Sequence, residues 1–259
     1  MKANERRQKI IDFVSELEDV SIEFLAEKFK VSEMTIYRDL HILEDKGYLK
    51  KTTGGAMKIN DFLVHSESPF VKRLKDHNEE KRAIAKKAIE YIDNGDSIII
   101  DAGTTGFILV KEINKANFND LTVITNNMIA QIELTKNPNI DIIAVGGTAR
   151  YGSYSTVGVI AEKVLKDIVV DKAFITTKGI SNDGELFDPT LNEGRIKEIF
   201  IQKARKKILI VDSSKFGIIG LYRFSNVSVF DVIITNSKIQ NKNLKVLKKI
   251  DAKLEIVDV

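Results

Sequence analysis

The 259 residues predict an α/β protein in two domains, on three observations. Residues 1–60 carry three short apolar stripes at helical spacing, closed by a hairpin-like run around Gly54-Gly55. From Ser97 onward, short Ile/Val runs alternate with helical segments, the pattern of a parallel sheet covered on both faces. The length is too great for one small domain, and a 43% hydrophobic share is enough for a sizeable second core. The expected boundaries are 1–60 for the head, 61–94 for a linker and connecting helix, and 95–259 for the larger domain.

In the head, Ile10, Ile11, Phe13, Val14 and Leu17 mark a first helix over residues 5–17. Ser21 is placed to cap a second, whose stripe is Ile22, Leu25, Ala26 and Phe29. Lys30-Val31-Ser32 forms the turn into a third helix, with Ser32 as its cap. Ile36, Leu40 and Leu43 recur at i, i+4, i+7 and make its buried stripe. Gly47 is expected to end that helix at a left-handed position. Tyr48–Thr53 then reads as a strand and Ala56–Ile59 as its return.

The outer face of the third helix carries Thr35, Tyr37, Arg38 and His41, all short or hydrogen-bonding. Such a helix followed by a basic hairpin fits a winged helix-turn-helix, with the helix entering the major groove of DNA. Arg38 is expected on a guanine or a phosphate, and Ser32 and Thr35 on phosphates. Lys50, Lys51 and Lys58 would ride the backbone beside the groove. An ordinary amphipathic helix and hairpin with solvated charges fits the same residues.

Charge alone decides little. The net charge is +3, and residues 1–60 hold 11 basic and 11 acidic side chains. Position matters more. Lys46, Lys50, Lys51 and Lys58 stand with no acid between residues 46 and 60, and Lys2, Arg6, Arg7 and Lys9 flank only Glu5. The acids gather instead at Asp12, Glu16, Glu18, Asp19 and Glu23, an asymmetry that would orient the head on a polyanion.

Asn60–Pro69 reads as a linker. The charged stretch after it contains a helical stripe, Ile84, Ala88, Ile89 and Ile92, ended by Asn94-Gly95-Asp96. Its many lysines and arginines, interspersed with glutamates, read as a solvated face. The expected strands follow at 97–101, 121–125, 140–145, 172–176, 207–211 and 231–235, with a last one at 254–257. Helices are expected over 105–113 and 127–135.

The strand ends of the larger domain carry the chemistry. Ligands in open α/β sheets sit at the carboxyl ends of strands. Asp101-Ala102-Gly103-Thr104-Thr105 is a small-residue loop opening a helix, with backbone N–H groups and two hydroxyls suited to a phosphate. Thr125-Asn126 again places side-chain polar groups at a helix start. Gly146-Gly147 leads to Arg150, free to pair with an anion. A later strand ends at Asp212-Ser213-Ser214-Lys215. Glycines after strands are often only turns, but four such loops at one sheet edge are harder to dismiss. Asp101, Glu185, Asp188 and Glu193 are candidates to bind sugar hydroxyls, or to serve as an acid/base pair for aldose–ketose isomerisation. Asp101 and Asp212 could equally cap neighbouring loops. There is no Walker loop and no dinucleotide fingerprint. With no cysteine, and with His41, His65 and His77 all outside the sheet region, no metal, no cofactor and no catalytic residue is expected. The polar N-terminus and the lack of a long apolar run make a cytoplasmic protein with no membrane partner the simplest reading.

The chain resembles DeoR/GlpR-type bacterial transcriptional repressors from end to end. The N-terminal match is Val31-Ser32-Glu33-Met34-Thr35-Ile36, Arg38-Asp39-Leu40 and Gly54-Gly55-Ala56. The C-terminal match is the loop from Asp101 to Thr105, Thr125-Asn126, Gly146-Gly147, Lys172-Ala173-Phe174, Gly179-Ile180 and Asp212 to Gly217. The resemblance implies a repressor of a sugar-metabolism operon that binds double-stranded operator DNA and responds to a phosphorylated sugar. It implies dimers or tetramers, and a larger domain similar to the ribose-phosphate isomerase and glucosamine-phosphate deaminase fold. Three positions depart from the family pattern. Tyr37 stands where an Arg is usual, Lys51-Thr52-Thr53 precedes Gly54 where the wing usually reads Arg-x-His, and Lys178 replaces a common Asp or Asn. The alternative is a sugar-phosphate isomerase or deaminase-like enzyme with a regulatory DNA-binding head.

Overall fold

Three amphipathic stretches in the first 45 residues bury their apolar stripes against one another. In the computed structural model, which describes residues 3–17, 19–45, 48–52, 54–57, 63–64 and 70–259, they form α1 (Ala3–Leu17), α2 (Ile22–Phe29) and α3 (Glu33–Asp45). Their common core is Ile10, Val14, Leu25, Ile36, Leu40 and Leu43, closed by Leu49 and Ala56. Ser21 caps α2, its Oγ accepting from the Phe24 amide at 3.1 Å. Lys30 ends α2 in the left-handed region, with φ 53°. Ser32 accepts from the Thr35 amide at 3.3 Å at the start of α3.

The wing has one strand more than the sequence implied. Its strands are β2 (Lys50–Thr52) and β3 (Gly55–Met57), but a third, β1 (Asp19–Ser21), pairs with the far edge of β3. Three residues are too few to show an alternating pattern, so β1 is unreadable locally. A Cβ on Gly55 would stand 2.0 Å from the Val20 carbonyl oxygen, so only glycine allows that approach. Lys46, Gly47, Thr53, Lys58, Ile59 and the 60–69 linker, apart from Leu63 and Val64, lie outside the described residues.

The larger unit comprises Leu63–Val64 (β4) and everything from Phe70 on. Its helices α4 (Phe70–Lys75) and α5 (Asn78–Ile89) precede β5 (Ser97–Ile100), α6 (Thr104–Ile113), β6 (Leu121–Thr125), α7 (Met128–Leu134) and β7 (Ile140–Ala144). A short hairpin, β8 (Thr148–Ala149) and β9 (Thr156–Val157), leads into α8 (Val159–Leu165) and β10 (Val170–Ile175). Then come β11 (Gly179–Ile180), β12 (Glu185–Asp188), α9 (Leu191–Lys203) and β13 (Ala204–Ile210). The chain ends with β14 (Ile219–Gly220), β15 (Tyr222–Asn226), β16 (Val232–Asn236), α10 (Asn241–Leu247) and β17 (Lys253–Val257).

Seven strands form one parallel sheet in the order β17-β16-β13-β10-β5-β6-β7. Period-2 alternation sends neighbouring residues to opposite faces. Ile99, Ile124, Ala173, Leu209 and Ile233 join one core, with Leu165, Ile196, Phe200 and Leu247 of α8, α9 and α10. Ile98, Val123, Phe174, Ile208 and Val232 join the other, with Ala88, Leu109 and Leu134 of α5, α6 and α7. Both faces are therefore covered, which explains why the strands read as continuous apolar runs. A small antiparallel sheet, β11-β12-β15, sits apart from it.

The strand order fixes where a ligand can enter. From β5 the chain moves outward to β6 and β7, then returns to β10 on the other side of β5. The crevice between the ends of β5 and β10 is thus the topological switch point, where open parallel sheets bind ligands.

Candidate functional site

In the head, α3 turns Ile36, Asp39, Leu40 and Leu43 inward and leaves the opposite face in water. Arg38, His41 and Lys50 are exposed, and Ser32 bonds to Thr35 through their hydroxyls at 2.9 Å. His41 lies 3.8 Å from Asp45. Tyr37 is half exposed and carries the Lys51 ammonium 3.9 Å over its ring, so a cation from the wing is set on the face of the helix. Met34, on the same face, is 60% exposed and was not among the residues expected to contact DNA. Apolar groups of this kind can meet a thymine methyl.

Two arginines of the basic cluster expected to orient the head on a polyanion are engaged within the head itself. Arg6 and Arg7 each donate through Nε to the buried carboxylate of Asp39, both at 2.6 Å. They tie α1 to α3. A buried carboxylate without such partners would be costly, so the fold takes them first.

In the larger unit, the switch point is built around a lysine. Lys197 Nζ on α9 donates to Asp101 Oδ2 at 2.6 Å and to the Thr176 carbonyl at 2.8 Å, and lies 3.2 Å from Asp188 Oδ2. All four residues are buried. Burial opposes the charge of Lys197, but Asp101 and Asp188 outweigh it and hold its pKa above the ordinary lysine value. Burial pushes Asp188 the other way for a carboxyl, up to about 7, with Lys197 partly offsetting the effect. Asp101 also accepts from the Ala102 and Thr176 amides at 2.8 and 3.1 Å and from the Thr176 hydroxyl. It is saturated, and so it positions Lys197 and the β5 and β10 loops.

Two contiguous spaces open here. One, of about 10 Å³, is walled by Gly103, Asn126, Ser155, Lys178, Asp188, Glu193 and Lys197. The other, of about 30 Å³, is walled by Arg73, Gly103, Thr104, Thr105, Lys178, Asp212 and Lys215. Together they hold only a few waters, so a larger ligand must displace side chains. The second space meets the amino end of α6, whose first amides have no side-chain cap. Three cations, Arg73, Lys178 and Lys215, stand around it. A Cβ on Gly103 would come within 2.2 Å of Thr176 Oγ1, so the loop must be glycine there.

Residues 6–62 match the model of the DeoR-like helix-turn-helix domain, and residues 76–237 match that of the DeoR C-terminal sensor domain. The chain belongs to the DeoR family of transcriptional regulators. This DeoR-family chain is 34% identical to the HTH-type transcriptional regulator GolR of Listeria innocua, across 93% of its own length and 92% of that protein's. It is 32% identical to the L-fucose operon activator of Escherichia coli, across 90% and 95%. Among solved structures it is similar to ribose 5-phosphate isomerase A from Methanocaldococcus jannaschii, with 17% identity and a TM-score of 0.41 over 54% and 55% of the two chains. No described helix is long and apolar enough to cross a membrane.

Not every expected sensor residue reaches the two spaces. Gly103, Thr104, Thr105, Asn126, Asp188 and Lys215 line them, as does the Asp101 side of the cluster. Thr125 is fully buried and accepts from the Asn127 amide at 3.1 Å, which shapes the turn into α7. Gly146 is exposed, and Gly147, at φ 140°, lets the backbone pass the Val157 carbonyl. Arg150 donates to Thr190 at 2.5 Å and lies 3.8 Å from Glu193, one residue removed from the cleft. Glu185 is drawn away by the antiparallel sheet and lies 3.5 Å from Arg223. Lys197 and Arg73 were not among the expected site residues, and Lys178 stood only as a departure from the family pattern. Lys197 did leave a signal: it follows Ile196 and stands four residues after Glu193, so two charges share the inner side of α9 with Ile196 and Phe200.

Proposed function

We propose that this DeoR-family regulator is a cytoplasmic repressor of a sugar-metabolism operon, controlled by a phosphorylated sugar and not itself a catalyst. The observation that carries the reading is the second space at the switch point. Helix-end amides without a side-chain cap, two threonines and the cations Arg73, Lys178 and Lys215 converge on it, the setting that favours a phosphoryl group. On the head, Arg38 and Met34 would read base edges of double-stranded operator DNA. Ser32, Thr35, His41, Lys50 and the Lys51–Tyr37 pair would hold its phosphates. A homodimer or tetramer would present two heads to two half-sites.

Control follows from linkage: the effector must bind the operator-competent and released forms with different affinity. The small volumes support this, since a phosphosugar enters only as side chains move. Arg73 is the natural relay, because it belongs to α4, the first helix after the linker. A coupling of about 1–3 kcal/mol corresponds to an operator affinity change of about 5- to 150-fold. The test is a thermal-shift screen of phosphorylated sugars, followed by a gel shift on DNA upstream of the protein's own operon. A sugar phosphate that stabilises the protein and releases the DNA is expected. Tighter DNA binding with that sugar would make it a co-repressor, and stimulated transcription would make the protein an activator.

One observation favours a second reading, an isomerase or deaminase with a DNA-binding head. Asp188, held near neutrality, stands with Glu193 on one cleft, as an acid/base pair would. Sustained isomerisation of a sugar phosphate, lost in Asp188→Asn, would support it.

A further inference from the structure

Asp188 is the end of β12 and is fully buried, yet neither carboxyl oxygen meets a hydrogen-bond donor among the described residues. Lys197 stands 3.2 Å from Oδ2, but its bonds are aimed at Asp101 and Thr176, so that contact is Coulombic only. On the same cleft Asn126 donates its amide to the Thr156 carbonyl at 3.0 Å, and its Oδ1 is buried with no donor. Buried acceptors are almost always satisfied, because each one left bare costs about 1–3 kcal/mol. Three bare acceptor atoms on one cleft therefore call for a molecule that brings donors.

We propose that Asp188 and Asn126 form a hydroxyl-reading subsite, which takes neighbouring hydroxyls of a polyol chain whose phosphate occupies the adjoining space. The inference rests on the anion-site reading above and adds to it what selects one phosphate over another. Two features make the subsites parts of one site. Gly103 and Lys178 wall both spaces, so a single ligand spans them. The hydroxyl side also carries its own counter-charge, since Lys197 already neutralises Asp101 and faces Asp188. An uncharged donor, a hydroxyl, fits there without adding a second buried cation. Asp188 is then a specificity-determining residue, and Asp101 and Lys197 hold it in place.

Calorimetric titration of the full chain with three probes tests this: inorganic phosphate, propyl phosphate and glucitol 6-phosphate. At about pH 8.5, where Asp188 is ionised, the unaltered protein should bind glucitol 6-phosphate about 10- to 100-fold more tightly than propyl phosphate, the range expected for hydrogen bonds to a charged acceptor. Asp188→Asn should abolish that preference and change propyl phosphate binding less than about threefold. Asn126→Ala should reduce the preference by about 3- to 10-fold. Equal affinity for the two esters in the unaltered protein overturns the subsite without any variant, and leaves the anion site standing. An undiminished preference in Asp188→Asn overturns it as well. If none of the three phosphates binds the unaltered protein, the anion-site reading falls and takes the subsite with it.

Discussion

At the scale of single residues, the sensor unit is organised by charge taken out of water. Asp101 gathers four donors and Lys197 one full carboxylate, whereas Asp188 has charge opposite it but no donor. That difference explains why burial dominates at Asp188 and raises its pKa to about 7, with Lys197 and Lys178 opposing and Glu193 and Asp101 adding to the rise. The sign for stability follows directly. Between about pH 4 and 7 the folded protein keeps a proton on Asp188 that the unfolded chain has released, so stability falls as pH rises, by at most about 1.4 kcal/mol per pH unit. Asp188→Asn removes the effect, so the variant should gain stability relative to the parent as pH goes from 4 to 7. Urea unfolding across that range measures it, and parallel curves would show that Asp188 ionises freely in the folded state. On the head, Arg38→Ala should weaken operator binding by about 1–3 kcal/mol and relax base preference, provided the guanidinium forks onto a guanine. Gel shifts on specific and random duplexes separate this from a phosphate contact, which would weaken both equally.

At the scale of elements, close contacts decide more than propensity. α1 and α3 are joined by the Arg6–Asp39–Arg7 cluster as well as by apolar packing. Asp39→Asn would leave two guanidiniums, one of them nearly buried, without their carboxylate. A loss of about 3 kcal/mol is expected, the low end for breaking a buried pair because Arg7 keeps some contact with water. Thermal melting of the head's transition reports it. In the larger unit the β5–α6 loop passes so close to β10 that Gly103→Ala must push Thr176 aside. The Thr176–Asp101 bond then breaks, at a cost of about 1–3 kcal/mol, read as a lower denaturation midpoint.

At the scale of the whole molecule, the head and the sensor unit have separate cores. If the proposed effector control holds, Lys215→Ala should leave DNA affinity unchanged and blunt release by the effector, because Lys215 walls the second space and is remote in sequence from the head. A gel shift titrated with a stabilising sugar phosphate checks this. Unaltered release would remove Lys215 from the site. Arg73→Ala extends the same experiment to α4, where loss of release with retained effector binding would identify a relay.

The alternation of Ile/Val runs with amphipathic helices, and the stripe Ile36, Leu40, Leu43 under a polar face, are local properties, set by the period of each element. They made the helix-turn-helix head, the parallel-sheet domain and the amphipathic third helix legible from residues alone. The small-residue loop at 101–105 was legible for the same reason, since it stands where an apolar strand gives way to a helical pattern. Strand order was not. Which side of β5 receives β10 depends on packing among all seven strands, and that choice alone creates the switch point. It also brings Lys197 from α9 and Arg73 from α4 to loops 94 and 28 residues away in sequence from Gly103 and Asp101, and sends Glu185 and Thr125 elsewhere. Local sequence specifies the hydrophobic period of an element, but the partners of a buried charge are chosen only when distant segments compete to satisfy it.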